Sequence, residues 1–295
     1  MPDALHCLAA KTIAPVARIF GSAFIAVLLF AAHLQGQEVP VSEAKKLHQL
    51  FESEWNYQLE QHPTWASRLG DRRWNDRWED RSLDSIDKQH SHNIEALAKL
   101  KAIDREALSP SDQLNYDLFS KDYENEIEDY LHRWYLIPIN QLWGVQNMDD
   151  LARALPFERL KDYEDWLARL RAFPIYIEQT IGLMREGIKQ RILLPKIVLE
   201  RIPAQIDHQI VNDPKESPFY KPFLQFAGSI AEADRSRLAA AAADVIKSDV
   251  VPAFRRFKEF FLEDYRPAAP DQVGIWQLPL GEELYRFAVR LHTTT

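Results

Sequence analysis

Residues 109–135 read SPSDQLNYDLFSKDYENEIEDYLHRWY and give the strongest indication of the fold class. Apolar side chains recur in it every three or four positions, which is the spacing of one face of an α-helix. Ser109 before Pro110 is typical of a helix start, because a serine hydroxyl can cap free backbone N–H groups and proline fits the first turn. Pro138 predicts the end of the helix. The predicted apolar face comprises Leu114, Leu118, Phe119, Tyr123, Ile127, Tyr130, Leu131 and Trp134.

The same spacing continues outward on both sides of this stretch. Glycine is scarce, with 9 in 295 residues, and runs of strand-favouring residues are few, which favours helix over sheet. We therefore predict an all-α fold, a bundle of long antiparallel helices with Trp-rich loops. Two further helices are predicted over 41–61, where Ser42 is the cap, and over 82–101. Three more are expected to begin at prolines, namely Pro156, Pro174 and Pro195. The last two begin at about 229, in a helix that Pro252 kinks or restarts, and at Glu282.

Two connections in this bundle are specific enough to test. A tight corner at Phe173 and Pro174 would fold the helices on either side of it into an antiparallel hairpin. Residues 62–80 are predicted to form an irregular loop with one short helical turn and a chain reversal at Gly70.

The N-terminal segment has the pattern of a signal peptide. Lys11 and Arg18 precede an apolar run, residues 20–32, which is shorter than the roughly 20 residues that span a membrane. Cleavage near Gly36 would leave a single helical domain, 37–295, exported to the periplasm or the medium, with no membrane span beyond the signal segment 1–36. The alternative is an uncleaved N-terminal anchor. The one cysteine, Cys7, lies in this segment, so we expect no disulfide bond.

The charge pattern argues against nucleic-acid binding. The formal net charge is −8, and no basic stripe runs along the chain. The densest group of arginines, within residues 68–81, alternates with acidic residues and is typical of a salt-bridged surface turn.

The tryptophans allow two interpretations. Trp65, Trp74 and Trp78 fall in the 62–80 segment, and Trp143 and Trp276 lie in two other loops. One interpretation is a groove lined by aromatic loops, as peptide or glycan binders use. The other, which we favour, is that these side chains anchor loops onto the helical core.

No complete catalytic or metal site is present in the sequence. It lacks His-Glu-x-x-His, the spacing that places two imidazoles on one helix face for zinc, and it lacks the Gly-x-Ser-x-Gly elbow of serine hydrolases. Asp129 and His132 share a helix face, where a solvated ion pair is the expected role. His90 and His92 lie two residues apart and should point away from each other.

Several stretches together resemble a bacterial family, the domain-of-unknown-function family 885. Each motif alone is modest, but their order and spacing are specific and cover nearly all of residues 37–295. The stretches are HPTWASRLGDRRWNDRWED (62–80), LSPSDQLNYDLF (108–119), PFERLKDYEDWLARLRAFPIYIEQTIGLMREGI (156–188), VVPAFRRFKEFFLEDY (250–265) and LPLGEELYRFAVRLHTTT (278–295).

The resemblance implies a helical, cleft-forming, exported protein that is distantly similar to zinc metallopeptidases. Members are about twice as long as this chain, and their zinc motif, a His-Glu pair followed by Pro-Gly-His-His, lies in the second half. The chain therefore resembles the N-terminal half, so zinc is expected only with a C-terminal half. Within this half, the resemblance places four residues at the substrate cleft: Tyr285, His292, Thr293 and Thr294.

Our leading hypothesis is a non-catalytic half that forms one wall of a peptide cleft. Its partner would be the C-terminal half or a second copy, docked on an exposed apolar face. The alternative hypothesis is a stand-alone periplasmic helical binding protein without catalysis. A third is a fragment without function.

Overall fold

The computed structural model describes residues 41–293, and every regular element in that range is helical. The predicted all-α fold is confirmed. The predicted signal peptide 1–36 lies outside the described residues, and the single domain 37–295 stays a prediction. Within the described range, no helix combines the length and apolarity needed to cross a membrane. The helices are α1 (Glu43–Gln61), α2 (Pro63–Arg68), α3 (Leu83–Lys101), α4 (Pro110–His132), α5 (Leu151–Ala154), α6 (Leu160–Gln190), α7 (Lys196–Leu199), α8 (Ile202–Gln209), α9 (Glu232–Val245), α10 (Val251–Phe260), α11 (Arg266–Ala268) and α12 (Gly281–His292).

Three of the long helices begin at serine caps. Ser42, Ser82 and Ser109 each accept a hydrogen bond from the backbone N–H three residues ahead. Each bond satisfies one of the donors that a helix start leaves free. The predicted caps at Ser42 and Ser109 are confirmed.

Helices α1, α3 and α4 pack together as a three-helix bundle. Only Tyr123 of α4 is fully buried there, because α4 meets its neighbours along one side. Leu114, Leu118 and Leu131, which we expected on the core face, are exposed instead. The buried residues of this bundle are Leu47, Leu50, Ala96, Leu97, Leu100, Ile103, Leu108 and Tyr123.

The longest helix, α6, runs unbroken with Pro174 inside it. The predicted corner and hairpin at this proline are therefore wrong. An interior proline costs about 3 kcal/mol, since it removes one helical hydrogen bond and crowds the preceding turn. Burying Phe173, Tyr176 and Ile177 around it gains about 1.5–3 kcal/mol for each side chain, which more than offsets that loss.

The main core surrounds α6 and includes side chains from α8, α9 and α10. It is rich in aromatic rings that contact each other in tilted, edge-to-face and stacked arrangements. In the tilted pair Phe173 and Phe254, the centroids lie 5.1 Å apart. Its largest fully buried apolar side chains are Tyr163, Trp166, Phe173, Tyr176, Phe219, Phe254, Phe257, Phe261 and Tyr265.

Helical backbone continues from α9 to α11 through two π-helical segments, Ile246–Val250 and Phe261–Tyr265. The first lies just before Pro252. A wider turn there leaves room for the proline ring and tolerates the missing N–H. The chain therefore does not restart at Pro252, contrary to one of the two outcomes that the sequence predicted.

The segment 62–80 is more regular than predicted. It forms α2 and a 3₁₀ turn at Arg72–Trp74, and Gly70 between them has a φ of +88°, as the predicted chain reversal requires. Arg73 pairs with Asp71 at 2.6 Å, which agrees with the predicted salt-bridged surface turn.

Two buried side chains fix this segment to α6. The indole N–H of Trp78 donates to the carbonyl of Arg169 at 2.7 Å. The fully buried guanidinium of Arg169 donates in return to the carbonyls of Arg77 and Trp74 and to the hydroxyl of Ser67, at 2.8, 2.8 and 3.0 Å. These contacts support the anchoring role for Trp78, whereas Trp143 and Trp276 are exposed and do not anchor their loops in this way.

Candidate functional site

The position of α12 is set by the turn that precedes it. Leu280 has a φ of +59°, a left-handed conformation that reverses the chain. Gly281 follows in close contact with the carbonyl of Ile275, where a Cβ atom would overlap. This turn places α12 beside the second half of α4.

The contact between α12 and α4 is small. Leu284 and Phe287 of α12 are buried in a separate cluster with Leu278, apart from the main core. The ring of Phe287 lies 4.9 Å from that of His132 on α4. Arg290 forms an ion pair with Glu128 of α4.

A groove of about 480 Å³ lies between these two helices, and we call it the α4–α12 groove. Its lining combines apolar side chains with both signs of charge. The lining residues are Glu128, Leu131, His132, Leu280, Glu283, Arg286 and Arg290.

His132 is the buried polar side chain of this lining. Its side chain is 9% exposed, and neither ring nitrogen makes a hydrogen bond. The nearest carboxylate oxygen, on Glu128, lies 3.9 Å from Nε2, which is too far for a hydrogen bond. The predicted solvated ion pair with Asp129 is wrong, because α12 covers this side of α4.

Most of the charges around the groove are paired. Arg290 pairs with Glu128, and Arg286 pairs with Glu282 at 2.6 Å. Within residues 41–293, Glu283 has no basic partner. The groove therefore presents one free carboxylate beside a buried imidazole.

Two of the cleft residues expected from the resemblance, Tyr285 and His292, lie on α12 but do not line this groove. Tyr285 and His292 are exposed, and Thr293 caps α12 with its hydroxyl on the carbonyl of Val289 at 2.6 Å. None of these three residues lines the α4–α12 groove, and Thr294 lies outside the described residues. A ligand-binding role for these four residues stays a prediction.

The sequence matches the family described as "Bacterial protein of unknown function (DUF885)" over residues 63–295. The chain belongs to this family. No curated protein showed significant similarity to it.

The fold of this DUF885 chain is similar to a solved structure, described as the "putative lipoprotein from Colwellia psychrerythraea". The TM-score is 0.71 at 16% sequence identity, over 85% of this chain and 46% of that chain. At this identity the likeness shows a shared fold alone. The matched part of the DUF885 chain thus covers less than half of that structure.

A second polar constellation lies inside the three-helix bundle. The buried carboxylate of Glu54 accepts from the hydroxyl of Tyr123 at 2.8 Å and lies 2.7 Å from Nε2 of His92. Tyr57 stacks on the His92 ring at 3.5 Å. Burial, and then the bond to Glu54, raise the pKa of the Tyr123 phenol above its usual range. The cluster joins α1, α3 and α4, and the sequence spacing of His90 and His92 gave no sign of it.

Glu126 lies next to this cluster. Its carboxylate accepts from the side-chain amide of Asn93 at 2.8 Å, and no basic side chain of the described residues pairs with it. Burial, reinforced by the nearby Asp122, raises the pKa of Glu126 to about 7. The Glu126 residue is nevertheless exposed to solvent.

Residues 41–293 do not offer a fit for the zinc ion that the resemblance implies. They bring together no group of three or more His, Cys, Asp or Glu side chains that could hold a metal ion. We therefore assign no step through zinc to this part of the chain, and zinc in a C-terminal half stays a prediction from the resemblance.

Proposed function

We propose that the α4–α12 groove binds peptide and forms one wall of a peptide cleft in an exported DUF885 protein. The observation that carries this proposal is the buried, unpartnered imidazole of His132 beside the apolar side chains of Leu131 and Leu280. A peptide offers both complements, since its main chain supplies donors and acceptors and its side chains supply apolar surface.

The family resemblance extends the proposal to the whole protein. There, hydrolysis of the bound peptide would take place in a part that faces this wall. The DUF885 chain covers 46% of the solved neighbour, so the activity of a whole protein is a proposal that the groove alone does not carry. Export is proposed on the signal-peptide pattern of residues 1–36 and on the description of the neighbour as a putative lipoprotein.

The alternative function, a stand-alone binding protein, uses the same groove but needs no partner. The cleft-wall function and the stand-alone function predict different surroundings for two exposed leucines of α4, Leu114 and Leu118. A docking half or a second copy would bury these side chains, whereas a stand-alone protein would stay monomeric with them in solvent. Light scattering of residues 37–295 across a range of concentrations separates the two.

Peptide binding is tested with pools of fluorescein-labelled octapeptides. Four pools, acidic, basic, apolar and Gly/Ser-rich, are titrated with the protein by fluorescence anisotropy up to about 1 mM, where binding of about −4 kcal/mol is still detected. We expect the apolar and basic pools to bind, because the groove has apolar walls and a free carboxylate. Absence of binding in all four pools would contradict the proposal. Arg153→Ala, a change at an exposed site outside the groove, serves as the control and should bind as the unmodified protein does.

A further inference from the structure

His132 is a buried polar group whose hydrogen bonds are left unmade. A neutral imidazole has one N–H donor and one acceptor nitrogen, and here both ring nitrogens are inaccessible and without partners. A buried group in this state destabilises the fold by about 1–3 kcal/mol, and within residues 41–293 His132 has two such atoms.

The side chains around His132 hold its ring in place but form no hydrogen bond with its nitrogens. The ring packs against Phe287 at 4.9 Å, and this contact fixes one face. Glu128, the nearest carboxylate, is engaged by Arg290. Neither contact satisfies the ring nitrogens, and a group that enters the groove can reach them only when α12 shifts away from α4.

A peptide group fits this requirement better than an ion or a purely apolar ligand. The main chain of a peptide carries both N–H donors and C=O acceptors, which are the two kinds of partner that the ring nitrogens lack. Leu131 and Leu280 offer apolar surface to the adjacent side chain, and the unpaired carboxylate of Glu283 favours a ligand with a positive charge.

We infer that His132 is the residue that binds the main chain of a peptide in the α4–α12 groove, and that the groove selects segments carrying an apolar and a basic side chain. This inference rests on the proposed function and deepens it. It assigns His132 a binding role only.

The test uses His132→Phe, which keeps the size and the contact with Phe287 but removes both nitrogens. The probe is an acetylated and amidated octapeptide of alternating leucine and lysine, labelled with fluorescein. We expect its affinity to fall about tenfold, while the melting temperature of the unliganded protein rises by about 2 °C or more, since an unsatisfied buried group has been removed. A residue with a purely structural role would lower the melting temperature and leave the affinity unchanged.

Two further variants complete the design. His132→Gln keeps a donor and an acceptor and should retain most of the affinity. His90→Phe is the matched control, because His90 also has a buried nitrogen without a partner and stacks on Tyr130 at 3.7 Å, outside the groove. It should bind the probe as the unmodified protein does.

Each outcome is decisive for one of the two claims. Binding by the unmodified protein with unchanged affinity in His132→Phe overturns the role of His132 and leaves the proposed function intact. Failure of the unmodified protein to bind the probe or any peptide pool overturns the proposed function and this inference with it. Should His132→Phe not fold, ¹⁵N-histidine NMR of the unmodified protein replaces it. The ring nitrogens of His132 must then shift on addition of the probe, and unmoved signals overturn the inference.

Discussion

At the scale of single residues, the carboxyl of Glu126 shows how an incompletely solvated acid responds to pH. Burial is the largest cause that raises its pKa to about 7, and the neighbouring carboxylates of Asp122 and Asp129 add to it. A raised pKa means that the folded state binds the proton more tightly than the unfolded chain does. The folded state is therefore favoured at lower pH and loses stability as the pH rises from about 4.5 through about 7.

Glu126→Gln should remove this pH dependence. The amide stays neutral, so we expect the variant to be more stable than the unmodified protein at pH 8 by on the order of 1 kcal/mol, a value reduced for solvent screening. The difference should shrink toward zero at pH 5. Urea unfolding at several pH values measures it, with Glu95→Gln as the control, since Glu95 is an exposed glutamate on α3. A pH-independent difference between Glu126→Gln and the unmodified protein would contradict the assigned pKa.

At the scale of elements, the sequence predicted two helix caps correctly but gave the wrong effect for Pro174. Ser42 and Ser109 cap helices as predicted, because capping depends on a few adjacent residues. Pro174 did not end α6, since buried side chains on both sides of it stabilise the continuous helix. Local sequence cannot weigh that tertiary packing against the loss of one hydrogen bond.

The candidate site was hidden from sequence for a similar reason. His132 and Asp129 share a helix face, which predicted a solvated pair. The imidazole is buried only because α12, about 150 residues further along the chain, packs over α4 through Phe287. Leu114 and Leu118 of α4 are apolar and yet exposed. The sequence of α4 therefore does not indicate which part of this helix another helix covers.

The small buried surface of α12 predicts that this helix opens more readily than the rest of the fold. Only Leu284, Phe287 and Gly281 of α12 are buried, whereas α6 lies along the main core for its whole length. In hydrogen exchange followed by mass spectrometry, amides of α12 should exchange at least about 100-fold faster than those in the middle of α6, a difference of about 2.7 kcal/mol in opening free energy.

Two alanine variants distinguish local opening from global unfolding. Phe287→Ala should speed exchange in α12 and leave α6 unchanged, because it removes the main contact of α12. Phe254→Ala, in the main core, should speed exchange in both helices and lower global stability by about 3–5 kcal/mol. If Phe287→Ala accelerated exchange in α6 as strongly as in α12, then α12 would unfold with the core and not by itself.

At the scale of the whole molecule, the segment 62–80 connects the three-helix bundle with the main core. Trp78 belongs to the main core, and the side chain of Gln179 on α6 donates to Asp80 at 2.8 Å. Arg169 of α6 contributes three hydrogen bonds of 3.0 Å or less to this segment. Burial lowers the pKa of the Arg169 guanidinium to about 10. This guanidinium is a charged group buried between segment 62–80 and α6, where its desolvation costs free energy.

Arg169→Met should therefore weaken the contact between segment 62–80 and α6 more than it weakens the packing of the three-helix bundle or of the main core. The variant leaves the carbonyls of Arg77 and Trp74 and the hydroxyl of Ser67 without their donor, at about 1 kcal/mol each, and relief of the buried charge offsets part of that loss. We expect a net loss of about 2 kcal/mol and, in urea, earlier exchange of amides in α3 than in α6, whereas the unmodified protein opens both together. Arg171→Met, at an exposed position two residues away, should stay within about 0.5 kcal/mol. If α3 and α6 still opened together in Arg169→Met, the two cores would be coupled by contacts other than this segment, such as those of Leu136 and Ile137 with Leu183.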